Sequence, residues 1–156
     1  MDFSALLEQA FAAFAVFFHD SFYLPMAAVA VAAFFFVKRR KEFAAALALA
    51  LFLAFFAQGF LVEPRPCQVD AGVARFVECP ASSGLPSLHA TVAGVLAIAS
   101  LGTAAFYFLA PFALLIAASR VFLGVHSVLQ VAAGLALGML VYLIVVQLSD
   151  WLWRKK

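Results

Sequence analysis

Four apolar runs, at residues 22–37, 43–62, 90–109 and 125–148, carry too little charge over too great a length to belong to a soluble core. A helix crossing the hydrocarbon of a bilayer needs ~20 apolar residues. It is also an element that satisfies its own backbone polar groups there. Hydrophobic residues make up 67% of the chain and charged residues 12%, against ~25% charged in an average soluble domain. Lipid, not a packed interior, must therefore take up the apolar surface. The stretch 101–123 is apolar but interrupted by Arg120, and it reads as a tight turn near Gly102-Thr103 followed by one returning helix. Five spans result. The expected fold is an all-α polytopic membrane helix bundle, one domain over residues 1–156.

The first twenty residues follow a different pattern. Phe3, Leu7, Phe11, Phe14 and Phe18 recur at helical spacing, while Asp2, Glu8 and Gln9 interrupt them. The segment lacks the basic start of a signal peptide. Residues 1–20 are expected to form an amphipathic helix lying in the membrane interface, with a sixth, strained span as the alternative.

Charge placement predicts orientation. Of the ten Lys and Arg residues, seven fall in two clusters, Lys38-Arg39-Arg40-Lys41 and Arg154-Lys155-Lys156. The positive-inside rule puts both in the cytoplasm, which an odd number of spans permits. The N-terminus then lies outside and the C-terminus inside the cell membrane. Loop 63–87 and the connection 120–126 become extracytoplasmic. Cys67 and Cys79, the only two cysteines, both fall in that loop, where a disulfide persists. There is no basic stripe with interleaved aromatics, so nucleic acid is not an expected partner. Gly134 and Gly138 form a small-xxx-small pair, which either packs the last span within the monomer or builds a homo-oligomer.

Outside the clusters, the basic residues Arg65, Arg75, Arg120, His19, His89 and His126 are all expected on the outer side. Ionisable groups near a membrane are costly and call for a reason. Gln58 lies two helical turns before Arg65 and is expected to project from the same face. Pro86-Ser87-Leu88-His89 opens a span, and a helix N-terminus offers free N–H groups to a phosphate. Ala81-Ser82-Ser83-Gly84 leads into it and is small enough to admit a headgroup. A turn at Gly124 would aim Arg120 and His126 at one point. Gln130, four residues after His126, would stack beneath it on one helix face and hydrogen-bond the imidazole.

These residues resemble the three motif blocks of the phosphatidic acid phosphatase type 2 superfamily. The blocks are Lys, six residues, Arg-Pro; then Pro-Ser-Gly-His; then Ser-Arg, five residues, His, three residues, Asp. They stand here as Gln58 through Arg65-Pro66, as Pro86-Ser87-Leu88-His89, and as Ser119-Arg120 through His126 to Gln130. Order and spacing match in all three, over residues 58–130. Three positions depart from the pattern: Gln58 for Lys, Leu88 for Gly and Gln130 for Asp. The Glu63-Pro64-Arg65-Pro66 form, the outer amphipathic helix and the five spans look most like the branch that acts on undecaprenyl diphosphate.

The resemblance implies that His126 attacks phosphorus and becomes a phosphohistidine. His89 would protonate the departing oxygen and then activate water, while Gln130 orients His126. Gln58, Arg65, Ser87, the Leu88 N–H and Arg120 would bind the phosphate oxygens. Two cations and a helix end need no metal or cofactor for that task. The expected partners are a lipid phosphate or diphosphate and the membrane lipids around it. The rival readings are a lipid phosphotransferase and a weakly catalytic lipid-phosphate binder or scramblase.

Overall fold

The computed structural model describes residues 2–20, 23–73 and 76–154. Residue 22, where the first span was expected to begin, lies outside them, as do Met1, Arg75, Lys155 and Lys156. Among the described residues the chain is helical without strands. The helices are α1 (Phe3–Asp20), α2 (Leu24–Phe36), α3 (Arg40–Phe60), the short α4 (Pro66–Val69), α5 (Leu88–Ala99), α6 (Phe106–Phe122) and α7 (Val128–Trp153).

Packing inverts the soluble pattern of large residues inside and small ones outside. On α3, Ala46, Ala50 and Ala54 are fully buried, whereas Phe52, Phe55, Phe56 and Phe60 face outward. Lipid tails are as apolar as a leucine side chain, so burying large residues gains little. Helices meet instead along small residues that let their backbones approach. The central helix, α5, is the extreme case, with ten of its twelve residues buried against α3, α6 and α7. Gly134 and Gly138 of α7 lie against the backbones of Ser87 and Thr91 in and before α5, and Gly94 of α5 lies against Leu135. The small-xxx-small pair therefore packs within the monomer.

By length and composition α3 and α7 can each cross a membrane, and α1 with α2 form a bent pair at 85°. The run 90–109 is not one helix. α5 stops at Ala99 because Gly102 adopts φ 74°, and the turn that follows closes on itself. There Leu101 N–H donates to Ile98 O, Thr103 N–H to Ser100 O and Phe106 N–H to Thr103 O. The turn thus lies where the Gly102-Thr103 pair predicted it. At 12 residues, α5 is about 18 Å long and short of the ~30 Å hydrocarbon. Neighbouring helices enclose it, so it needs no lipid-matched length of its own.

One end of the bundle is tied by charge. The Arg39 guanidinium binds Asp150 of α7 bidentately and Glu42 of its own helix, whose carboxylate also accepts from Ser149 Oγ. The cluster around Arg39 thereby shares an end of the molecule with the close of α7. Loop 61–87 and the α6–α7 connection occupy the other end.

A methyl group separates two kinds of glycine here. A Cβ at Gly138 would stand 2.1 Å from Thr91 O, whereas one at Gly59 would meet nothing within 4 Å. Gly138→Ala should destabilise the protein by roughly 1–3 kcal/mol, and Gly59→Ala should be neutral or stabilising by up to about 1 kcal/mol. Thermal unfolding in detergent checks the pair; equal melting temperatures would contradict the α5–α7 packing.

Candidate active site

The polar end is organised around Arg65. Pro64 and Pro66 cannot continue α3, so the helix ends at Phe60 and Arg65 arrives on extended backbone. Arg65 and Gln58 thus do not share a helix face, as their spacing had suggested. The arginine is 5% exposed, and loop 82–83 wraps its guanidinium. Nε donates to Ser82 O at 2.9 Å, Nη2 to Ser82 Oγ at 2.9 Å and to Ser83 O at 3.1 Å, and Nη1 to Val125 O at 3.0 Å. The small polar loop before Pro86 therefore holds the arginine; it is not open space for a headgroup. All these acceptors are neutral. A buried cation so arranged carries uncompensated charge, which an anion would relieve.

Arg65 Nη1 also lies 2.7 Å from His126 Nε2, and His126 Nδ1 lies 2.9 Å from Gly84 O. A guanidinium can only donate and a carbonyl can only accept. The ring is therefore neutral, with its proton on Nδ1 and its lone pair on Nε2. Burial lowers the proton affinity of His126 first and the Arg65 charge second, against the Gly84 carbonyl and Gln130, to a pKa of about 3. The Nε2 nitrogen therefore stays unprotonated in mild acid.

Arg120 is fully buried at the end of α6. Its Nε donates to Ser119 Oγ at 3.0 Å, Nη2 to Ala15 O at 2.8 Å and Nη1 to His19 Nδ1 at 3.2 Å. His89 Nε2 donates to Phe18 O at 2.9 Å, and the Tyr23 ring stacks on its imidazole at 4.7 Å between centroids. The last turns of α1 are built into the site. Beyond Arg120, Gly124 adopts φ 72° and turns the chain so that Arg120 and His126 converge, as expected.

Two expected roles look different in three dimensions. Ser127 caps α7 and forms a capping box with Gln130, so the helix begins after His126 and the pair does not stack on one helical face. Gln130 Oε1 accepts from Ser127 N–H, and Nε2 donates to Pro64 O at 2.9 Å. Its carboxamide lies so close beneath Gly84 that a Cβ there would meet it at 2.5 Å. Gln58 Nε2 donates to Pro86 O at 2.8 Å. Ser87 stands at the N-cap of α5, yet its Oγ caps nothing and is buried without a hydrogen-bond partner. The Cys67–Cys79 disulfide forms, with Cα atoms 5.8 Å apart, and Cys67 N–H donates to Gly124 O at 3.1 Å. That hydrogen bond joins the disulfide-bonded loop to the Arg120–His126 turn.

A polar cavity of about 60 Å³ brings together Gln58, Arg65, Leu88, His89, Arg120 and His126. Ser87 and Gln130 are not in its wall. An apolar groove of about 730 Å³ runs between α2, α3 and α5, and it shares Tyr23, Leu88 and His89 with the polar cavity.

The sequence profile of the PAP2 superfamily matches residues 39–154. The chain belongs to the PAP2 superfamily. Its fold is similar to the crystal structure of a transmembrane PAP2-type phosphatidylglycerolphosphate phosphatase from Bacillus subtilis. The TM-score is 0.66 at 23% identity, over 93% of this chain and 77% of that one. No curated protein sequence matches.

Sequence reasoning missed several members of this PAP2 site. The carbonyls of Ala15, Phe18 and Gly84 carry no side-chain signal at all. His19 is among the six ionisable residues expected together on one side, but nothing in its own segment links it to Arg120.

The hydrogen bonds of His126 make a spectroscopic prediction. Resonances of ¹⁵N-labelled imidazole should show His126 neutral, with the proton on Nδ1, from about pH 8 to about pH 5. An imidazolium signal for His126 at pH 6 would contradict the assignment. The unfolded ring takes up its proton near ~6.5, the folded one near 3. Below ~6.5 the unfolded chain thus binds the extra proton, and this residue lowers stability as pH falls.

Proposed function

We propose that the chain is a membrane lipid-phosphate phosphatase working through a phosphohistidine on His126, with a polyprenyl diphosphate of the undecaprenyl type as substrate. The observation that carries this reading is the shared wall between the cationic cavity and the apolar groove. A ligand with a phosphate head and a hydrocarbon tail fits both at once, and a water-soluble phosphate uses only one.

In the first half-reaction the His126 Nε2 lone pair attacks phosphorus, and the bond from phosphorus to the leaving oxygen breaks. The phosphoryl oxygens replace Nε2 as acceptors for Arg65. His89, entering as imidazolium with its Nε2–H kept on Phe18 O, gives its Nδ1 proton to the leaving oxygen. In the second half-reaction water attacks phosphorus, His89 takes a proton from that water, and the N–P bond breaks to release phosphate. Arg65, Arg120 and the N–H of Leu88, all at the cavity, stabilise the equatorial oxygens as charge builds. Gln58 and Gln130 hold the surrounding loops, and Gln130 supports the Gly84 turn that orients His126.

The site faces the extracytoplasmic side in this reading. The disulfide-bonded loop at the site end and the basic cluster at the opposite end both support that orientation. A second reading, a weakly catalytic lipid-phosphate binder, is favoured by the two glutamines, whose amide groups bind carbonyls and bring no charge.

Phosphate release from undecaprenyl diphosphate by the purified protein tests the proposal. Turnover should survive chelators and be inhibited by vanadate, which imitates five-coordinate phosphorus. His126→Ala should abolish the phosphoenzyme, and His89→Ala should slow both half-reactions by roughly 10²–10⁴-fold. Near-wild-type rates in both variants would reject the histidine mechanism. Tight lipid binding without phosphate release would favour the binder.

A further inference from the structure

The site holds a third imidazole that the proposed reaction leaves unused. His19, near the end of α1, lines the same cavity as Arg65, Arg120, His89 and His126, and it is half-buried. Its Nδ1 lies 3.2 Å from Arg120 Nη1. The guanidinium has only N–H groups to offer, so Nδ1 carries the lone pair and the His19 ring is neutral in this arrangement. Two backbone carbonyls of the same helix, Ala15 O and Phe18 O, bind Arg120 and His89. The position of His19 is therefore fixed by three contacts between α1 and the site.

An arriving phosphate oxygen would compete for the Arg120 Nη1 proton. Once it takes that hydrogen bond, the His19 Nδ1 lone pair faces an anion. A lone pair against an anion is repulsive, whereas an N–H there is a charge-assisted donor. Taking one proton from solvent converts the first into the second. We infer that His19 is an anion-binding residue of this site, which becomes protonated when a tetrahedral dianion binds and donates Nδ1–H to it. The inference rests on the phosphatase reading only for the identity of the anion.

Binding then couples to proton uptake and weakens as pH rises through the range in which imidazole titrates. The groups facing His19 are Arg120 from α6, His89 from α5, Arg65 and His126 from the loops, and Tyr23 before α2. The arginines stay charged throughout, and His126 stays neutral down to about pH 3. His89 is the other imidazole beside the anion site, and substitution of His19 alone separates the two.

The test uses the full chain in detergent with inorganic sulfate, a tetrahedral dianion that does not itself titrate here. Calorimetry in buffers of different ionisation enthalpy counts the protons taken up. Wild-type affinity should fall about tenfold or more between about pH 6 and about pH 8, with net proton uptake on binding. His19→Gln should bind about tenfold more weakly than wild type at the lower pH and lose the pH dependence. His19→Lys should restore the affinity and be independent of pH. Wild-type affinity and pH slope in His19→Gln would overturn the assignment. So would weak but still pH-dependent binding in both variants, because His19 would then only hold α1 in place. Absence of sulfate binding by the wild type would sink this inference together with the phosphate site. Proton-linked binding without phosphate release would reject hydrolysis and still support His19.

Discussion

A guanidinium aimed at a histidine lone pair is the interaction on which this end of the molecule depends. Arg65 can be buried only if every N–H finds an acceptor, and the chain supplies those acceptors from residues 82, 83, 125 and 126. Satisfying the arginine therefore folds loop 61–87 over the α6–α7 turn. The same contact holds His126 Nε2 unprotonated. One structural requirement, finding partners for a buried cation, also generates a chemical property, a neutral imidazole with its lone pair on Nε2. The acceptors are dipoles and not carboxylates, so charge remains to meet an anion.

That arrangement needs a rigid base, and α5 provides it. Its small residues admit the α7 backbone at Gly134 and Gly138, and Gly94 receives α7 in return. With both helices locked by backbone contact, the α5 N-terminus and the start of α7 keep a fixed separation. Ser87 N–H donates to Gln130 O at 3.2 Å, joining the two starts directly. The helix ends that carry His89 and follow His126 are thus set by packing well inside the bundle.

Much of this was legible in the sequence because each signal was local. Apolar runs marked helices, Gly102 and Gly124 marked turns, and the two cysteines marked the disulfide-bonded loop. Where the reading slipped, a local signal had been overlooked or a contact was distant. The Ser127-x-x-Gln130 capping box was present in the sequence and moves the start of α7 past His126. Pro64 and Pro66 likewise end α3 before Arg65. The role of α1 was not legible. Its contribution consists of the Ala15 carbonyl and His19, about a hundred residues away in sequence from Arg120, and the Phe18 carbonyl, 71 residues from His89. Fold periodicity says which face of α1 is apolar, but not that the helix terminus lands on Arg120.

The two glutamines show how the loop is closed without charge. Gln58 of α3 binds Pro86 O, near the loop's end, and Gln130 of α7 binds Pro64 O, near its start. Each glutamine thus reaches across to the far side of the loop, and together they cross-brace it. In the motif pattern the chain resembles, these positions hold a lysine and an aspartate. Replacing one cation and one anion together leaves the net charge of the site unchanged. What changes is its distribution, since neither neutral amide can follow charge as it moves during reaction. In the proposed reaction the burden of meeting that charge would fall on Arg65, Arg120 and His89. A brace of neutral amides also holds its geometry across pH, because an amide does not titrate. Under the proposed anion binding, a frame that does not titrate would let His19 change protonation without loosening the loop.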